Sequence, residues 1–349
     1  MIQEVLSRKP FAVVAHRGGV ERHAENTIEA IKYALRIKCD IIEVDIRKTR
    51  DDELILLHDE DFTRVAGVDV KAAEVESSFI FDNILIEGKY KVATLKEALA
   101  AVNGKSAMFL EIKDPAATLD VLRTIEEFGA QEWVAVVSFW DEVIEIVKEA
   151  MPELVCGLVY SKPPGRIREA KELGAQIVLP YYRLATAKAN RFAHALDLKV
   201  VAWTVNDDDL ALEMYERGVD AIATDFPKQM LALRKRLEEG GVIKRKKVSF
   251  ELFETKDGVL LRKIVVDKNH FFLEQNPHKL SKYGVAYREL KEKYPSFYMF
   301  WEIRDDEYTG RLLTANFVRK REIDQFIDKI LESQEYKKYE DVRDGVGGD

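Results

Sequence analysis

Cysteine is nearly absent from this chain: Cys39 and Cys156 are the two present in 349 residues. Each stands near the start of an apolar, strand-like run, which points to two buried thiols rather than a bridge. There is no CxxC and no histidine-rich spacing, so a zinc site of that kind is excluded. Long apolar runs are missing as well. No stretch reaches the ~18 residues of a membrane span, and none long enough for a signal peptide precedes the first strand-like segment. Integral membrane association is therefore not expected, and the cytoplasm is the expected location. Basic excess is also lacking, since 54 Lys and Arg against 62 Asp and Glu leave a net charge of −8. That argues against nucleic acid or an anionic membrane as a partner of the whole chain, though not against a local basic pocket. Finally, His16-Arg17-Gly18-Gly19 after the first strand-like segment is not a GxGxxG phosphate loop, which disfavours an open doubly wound sheet.

What is present is the composition of a globular protein with a large core, 47% hydrophobic and 33% charged. The length suits one barrel-sized domain plus a smaller one. Strand-like and helical segments alternate along the first two thirds. After FAVVAH, a helix is predicted from Thr27 to Ile37 with Asn26 as N-cap. Ile41 to Ile46 and Glu53 to Leu57 read as extended, and from Asp61 to Lys91 no period is sustained. From Thr94 onward the alternation is regular. Eight strands, each followed by a helix, end near His16, Asp45, Lys113, Phe139, Tyr160, Tyr181, Val205 and Asp225. Eight such units in ~240 residues predict an α/β fold, a (β/α)8 TIM barrel over residues 1–240, with a small insertion at about 60–92 after strand 2. Glu238 to Lys247 reads as a solvated linker rather than a nucleic-acid patch. Beyond it the style changes. VSFELFE and VLLRKIVV flank Lys256-Asp257-Gly258 as a hairpin, Phe297 to Ile303 and Ala315 to Val318 read as strands, and Ile323 to Leu331 as a helix. Residues 241–349 are thus expected to form a small C-terminal α+β domain of unknown role, with GVGGD disordered at its end.

The charged groups sit where the apolar runs stop, which is how buried parallel strands present chemistry at their carboxyl edge. Glu43 and Asp45, two apart on a strand, share one face. Taken alone, such a pair is as readily a solvated ion pair. Glu111 at the same end of the next strand adds a third carboxylate, and the three make a hard oxygen site suited to Mg²⁺, Ca²⁺ or Mn²⁺. His16 and His58 also end strand-like runs and are able to exchange protons near neutral pH. With Arg17 as a planar anion clamp and Lys113 as a point charge, they suggest a phosphate held between cations and two proton carriers. His23, His194, His270 and His278 lack such company and read as structural or exposed.

Together, His16-Arg17-Gly18, Glu25-Asn26-Thr27, Glu43-Val44-Asp45, His58-Asp59, Glu111-Ile112-Lys113, Trp203-Thr204-Val205-Asn206 and Thr224-Asp225-x-Pro227 resemble the glycerophosphodiester phosphodiesterase family. The resemblance covers about Phe11 to Leu237, in the family's order. It implies a metal-dependent barrel in which His16 and His58 are the acid and base pair and Glu43, Asp45 and Glu111 hold the divalent metal. It further implies that Arg17 and Lys113 contact phosphate and that Trp203 walls the glycerol pocket. Ala24 and Ala93 replace prolines common in the family, and Thr63-Arg64-Val65 departs from its arginine-threonine-threonine. The segment after Gly241 resembles nothing in that family.

The expected activity is metal-dependent hydrolysis of small-molecule glycerophosphodiesters to sn-glycerol 3-phosphate and an alcohol. Two rivals remain open at this point. One is a phosphodiesterase like the phosphatidylinositol-specific phospholipases C, which would need an exposed apolar run in the barrel loops, and the sequence offers none. The other is a non-catalytic module that binds a phosphorylated ligand, for which two proton carriers would be superfluous. Headgroup preference, native metal, oligomeric state and the choice between water and the glycerol's own hydroxyl as nucleophile are left open.

Overall fold

The computed structural model describes residues 1–240 and, beyond them, six strands between Val248 and Tyr339. The chain divides into two compact units, Met1–Ile243 and Lys244–Asp349. In the first, a single helical turn, α1 (Ile2–Val5), precedes β1 (Ala12–Ala15) and α2 (Ile28–Arg36). After β2 (Ile41–Lys48) and β3 (Leu54–Leu56) come short pieces: β4 (Asp61–Phe62), α3 (Thr63–Ala66), β5 (Val68–Lys71), α4 (Ser77–Asn83), β6 (Leu85–Ile86) and β7 (Tyr90–Lys91). Helix α5 (Leu95–Val102) ends that stretch. Six strand and helix pairs follow: β8 (Ala107–Ile112) with α6 (Thr118–Glu127), β9 (Val134–Ser138) with α7 (Asp141–Ala150), and β10 (Cys156–Tyr160) with α8 (Ile167–Glu172). The last three are β11 (Ile177–Pro180) with α9 (Ala187–Ala195), β12 (Lys199–Ala202) with α10 (Asp208–Glu216), and β13 (Ala221–Thr224) with α11 (Pro227–Glu238).

Strands β1, β2 and β8 to β13 pair in parallel in that order, and β13 pairs back onto β1. This closes an eight-stranded barrel wrapped by helices, as the strand count predicts. The closed sheet is apolar on both faces because side chains alternate. Val14, Ile41, Phe109, Val137, Leu179 and Val201 fill the interior with Ile2 and Leu6 of the N-terminal turn, while Val13, Ile42, Val44, Met108 and Leu110 face the helices. At the amino ends of the strands, buried Asp40 accepts from Val13 N at 2.8 Å and pairs with both Arg8 and Arg234. His194 Nε2 lies 2.8 Å from Asp220 Oδ2 beside the start of β13, acidic company that the sequence reading does not give it. Both cysteines are buried and free. Among the described residues no helix is long and apolar enough to cross a membrane.

Two local details differ from the sequence reading. The N-cap of α2 is Thr27, whose hydroxyl accepts from Ala30 N at 3.2 Å; Asn26 has a positive φ of 57° and spends its side chain elsewhere. The stretch from Asp61 to Lys91 is also better organised than its lack of period suggests. Its elements are two to seven residues long, too short to display a repeat. They nevertheless enclose a small core of their own, with Phe62, Ile80, Ile84 and Ile86 packed on Ile55 and Leu57.

In the second unit, β14 (Val248–Thr255), β15 (Leu260–Val266) and β16 (Asn269–Glu274) form an antiparallel meander with β19 (Tyr336–Tyr339) on its other edge. Strands β17 (Phe297–Arg304) and β18 (Glu307–Thr314) form a separate hairpin. The hairpin predicted around Lys256-Asp257-Gly258 is that of β14 and β15, in register from Val248 opposite Val266. The strand expected at Ala315 to Val318, the helix at Ile323 to Leu331, the terminal GVGGD, the linker from 241 and His278 lie outside the described residues.

Candidate active site

The alternation that fills the barrel also aims its acids. Ile41, Glu43 and Asp45 lie on the inner side of β2, and Ala107, Phe109 and Glu111 on the inner side of β8, so each strand swaps an apolar interior for carboxylates at its carboxyl end. The parallel register sets Asp45 directly against Glu111. One oxygen from each of Glu43, Asp45 and Glu111 lies within 4.8 Å of the others. Glu43 and Asp45 are buried; Glu43 Oε1 accepts no hydrogen bond, and Asp45 Oδ1 has only the Lys113 ammonium, 2.8 Å away. A buried carboxylate oxygen left without a donor is costly, and three carboxylates converging on one point match the donor set of a hard divalent cation. Burial and then the negative charge of Asp45 push the Glu43 carboxyl up, to about 8. Asp45 goes the other way: burial opposes its ionisation, but Lys113, His58 and Arg17 outweigh it and hold its carboxyl low.

Two cations frame this cluster. Lys113, which ends the β8 segment, places Nζ 2.8 Å from Asp45 Oδ1 and pairs with Glu111. Arg17 follows β1 in a left-handed backbone conformation, φ 52°. That turn lets its N–H donate to Glu43 Oε2 at 2.6 Å while its guanidinium reaches Glu25, with Nη1 3.1 Å from both carboxylate oxygens. Its Nε, buried and 3.6 Å from Asp45 Oδ2, makes no hydrogen bond. Asn26 completes the inner arrangement: its Nδ2 donates to Asp45 Oδ2 at 2.8 Å and its Oδ1 accepts from Asp45 N at 3.1 Å.

Each of the two histidines holds a carboxylate of its own. His16 Nδ1 lies 2.7 Å from Asp225 Oδ1, a contact made possible because β1 and β13 pair with Ala15 opposite Thr224. Asp225 is itself held by Asn206 Nδ2 at 2.7 Å. Burial would discharge His16, but the bond to Asp225 and the field of Glu43 prevail and raise its pKa. His58 Nδ1 lies 2.7 Å from Asp59 Oδ1, and Arg47 grips the His58 carbonyl with Nε and Nη2 at 3.0 and 2.9 Å. Burial is the largest influence on His58 and lowers its pKa despite Asp45. Two histidines in two environments are thereby biased apart.

Aromatic rings close one flank. Trp203 Nε1 donates to Leu179 O at 2.7 Å, and the indole meets Phe139 at 5.7 Å and Tyr181 at 5.6 Å between ring centres, both edge to face. Phe139 carries the Lys113 ammonium 6.0 Å from its ring centre, which ties this wall to the acidic cluster. The sequence reading finds no apolar run in the barrel loops. The fold nonetheless leaves Phe139, Trp140 and Phe226 exposed, Trp140 by 53%, after the ends of β9 and β13.

Residues 16–229 match the model of the glycerophosphoryl diester phosphodiesterase family. The chain belongs to that family. It is an enzyme of the phosphoric diester hydrolase class, and glycerophosphodiester phosphodiesterases stand among its relatives. One from Caldanaerobacter subterraneus subsp. tengcongensis is 29% identical over 236 residues, spanning 63% of this chain and 96% of that protein. One from Arabidopsis thaliana is 28% identical over 260 residues, spanning 68% of this chain and 79% of that protein. In fold, the barrel is similar to an Oleispira antarctica phosphodiesterase solved with the product sn-glycerol-3-phosphate, at a TM-score of 0.60 and 22% identity over 64% of this chain and 96% of the other. Residues 241–346 match a different model, a family of unknown function (DUF7132).

As a glycerophosphodiester phosphodiesterase barrel, the chain links Glu43, Asp45 and Glu111 in one cluster, with Arg17 on Glu43 and Asp45 and Lys113 on Asp45 and Glu111, sets His16 beside Glu43 and Arg17, and joins Trp203 to them through Phe139. Sequence reasoning singles out none of Asp225, Asn206, Asp59 or Arg64 as a site residue, although Asp225 and Asp59 are bonded to the two histidines it does single out, and Asn206 and Arg64 are bonded to those carboxylates. Asp225 and Asn206 lie in motifs that carry the family resemblance, so a signal was present. Arg64 had only the weak signal of a departure from the family pattern.

Proposed function

We propose that the barrel hydrolyses glycerophosphodiesters to sn-glycerol 3-phosphate and an alcohol, with His16 and His58 as proton carriers and a divalent cation, Mg²⁺, Ca²⁺ or Mn²⁺, held by Glu43, Asp45 and Glu111. The observation that carries this reading is the convergence of three carboxylates beside Arg17 and Lys113, with a buried Glu43 oxygen that no donor reaches and an Asp45 oxygen met by the Lys113 ammonium alone. When bound, the cation would supply Lewis-acid polarisation of the phosphoryl oxygens. The chain's own groups do the rest. Arg17, with a buried Nε that makes no hydrogen bond, and Lys113 bind the phosphate and offset charge that grows in the transition state. His58, biased toward its neutral form, accepts a proton from the attacking water as its oxygen forms the new P–O bond. His16, kept protonated by Asp225, gives a proton to the leaving alcohol oxygen as the old P–O bond breaks. Trp203 and Phe139 pack against the glycerol. Residues 1–240 act as the phosphodiesterase domain and 241–349 as a separate domain, in a protein of the cytoplasm.

The test is a headgroup panel from glycerophosphocholine to glycerophosphoinositol, assayed with and without EDTA and with each metal added back. Release of glycerol 3-phosphate that EDTA abolishes and one of the three metals restores is the expected outcome. Full turnover in EDTA would remove the metal from the proposal, and near-normal turnover by both His16→Ala and His58→Ala would remove the acid and base pair. The exposed Phe139, Trp140 and Phe226 give a lipid-engaging phosphodiesterase a foothold, so intact phosphatidylinositol belongs in the panel. Cleavage of the lipid but not of deacylated headgroups would favour that second reading.

A further inference from the structure

Arg64 sits in the insertion, on α3, half exposed at 48% of its side chain. Exposed ion pairs of arginine ordinarily contribute little, but these bonds have a different pattern. Its Nη1 and Nη2 grip the two oxygens of Glu25 at 2.8 and 2.7 Å, and its Nε donates to Asp59 Oδ2 at 2.6 Å. All three donating nitrogens are thus committed to two carboxylates from different loops, the planar fork geometry that makes such pairs strong and directional. Both carboxylates are already engaged on their far sides. Glu25, whose side chain is 15% exposed, accepts from Arg17, and Asp59 bonds Nδ1 of His58. Bonds therefore run without a gap from the His58 ring through Asp59, Arg64 and Glu25 to Arg17. Burial alone would raise the Glu25 carboxyl, yet the bonds from Arg64 and the charge of Arg17 hold it low.

We infer that Arg64 is a positioning residue: through Asp59 and Glu25 it locks the ring of His58 and the guanidinium of Arg17 in one fixed relation, so that proton carrier and anion clamp address the same phosphoryl group. Arg64 itself is spent on its two carboxylates. Without it, Asp59 loses the bond that fixes its carboxylate plane and with it the tautomer of His58. Glu25 then has Arg17 alone and is free to rotate it away from Asp45. The inference rests on the roles proposed above for His58 and Arg17.

Two readings of the full-length chain test it: steady-state kinetics on glycerophosphocholine, and the ¹⁵N shifts of the His58 ring, which report its tautomer whether or not the enzyme turns over. Arg64→Ala is expected to lower kcat roughly 10- to 100-fold, the range typical of lost supporting bonds around a site, and to move the His58 shifts toward a tautomer mixture. Guanidinium ion added to Arg64→Ala should restore part of both. Arg64→Lys, which keeps the charge but not the fork, should retain the fold and remain impaired. Unchanged His58 shifts in both variants would overturn the proposal, even with a fall in kcat, since Arg64 would then act on substrate directly. So would changed shifts with normal kcat. If the wild-type chain cleaves nothing in the panel, the functional reading fails on its own, and the His58 shifts still decide whether Arg64 positions that ring.

Discussion

Asp225 decides which nitrogen of His16 faces the barrel mouth. With Nδ1 engaged at 2.7 Å, only Nε2 is left to exchange a proton, so the carboxylate sets both tautomer and charge. Asp225→Asn keeps the size and the contact with Asn206 but removes the charge that favours imidazolium. We expect kcat to fall about 10- to 100-fold, the range for loss of a supporting partner, with KM changed much less, measured by steady-state kinetics beside His16→Ala. A matching rise in KM would instead make Asp225 part of substrate binding. The logic is the same at Asn26, where one side chain satisfies both the carboxylate and the N–H of Asp45. Neither role is written in the residue's own neighbourhood. Each depends on a partner brought from another strand.

Among the elements, β10 shows how tightly the interior is filled. A Cβ at Gly157 would come 2.6 Å from Leu179 Cδ1 and 3.0 Å from Ile177 Cβ on the adjoining strand. The leucine methyl has some freedom to turn, but the branched carbon of Ile177 belongs to the sheet and has little. Gly157→Ala is therefore expected to destabilise the barrel by roughly 1–3 kcal/mol, as overpacked cores do, read as a shift in the urea midpoint at constant slope. The strands were legible in the sequence because their apolar runs are continuous and end in charge. The insertion was not, since β4 to β7 and the helices between them are too short to carry a period, and their burial comes from packing on Ile55 and Leu57. The antiparallel pairing of β3 on β2, with Ile46 opposite Leu56, was equally hidden. An apolar run of three residues does not state its direction.

At the scale of the whole molecule, the barrel makes the two thiols sensitive to alkali without making them reactive. Burial, and for Cys39 also the charge of Asp40, pushes Cys39 from 9.0 up to about 12 and Cys156 up to about 11. A folded pKa raised above the unfolded one gives stability that is whole below pH 9 and lost as pH climbs through 11 to 12, because only the unfolded chain ionises readily. Denaturation profiles should fall over that window, and a Cys39→Ala, Cys156→Ala double variant should fall less steeply. In the native protein both thiols should resist a thiolate reagent at pH 8 and react once the chain is denatured. Free reaction of native Cys39 would contradict its burial.

Several features of this protein were settled by the sequence alone. Pleating puts residues two apart on one face, so Glu43 with Asp45, and Glu111 with Lys113, are neighbours in any strand that contains them, and the apolar runs before them require burial. Closure of the barrel decided what no local rule reaches. The pairing of β13 with β1 joins His16 to Asp225 across 209 positions, and the packing of the insertion on Ile55 and Leu57 brings Arg64 to Glu25 across 39. The pleat is a property of each residue's backbone and travels with the sequence. Which strand lies next to which is a property of the closed sheet and exists only once the chain has come full circle.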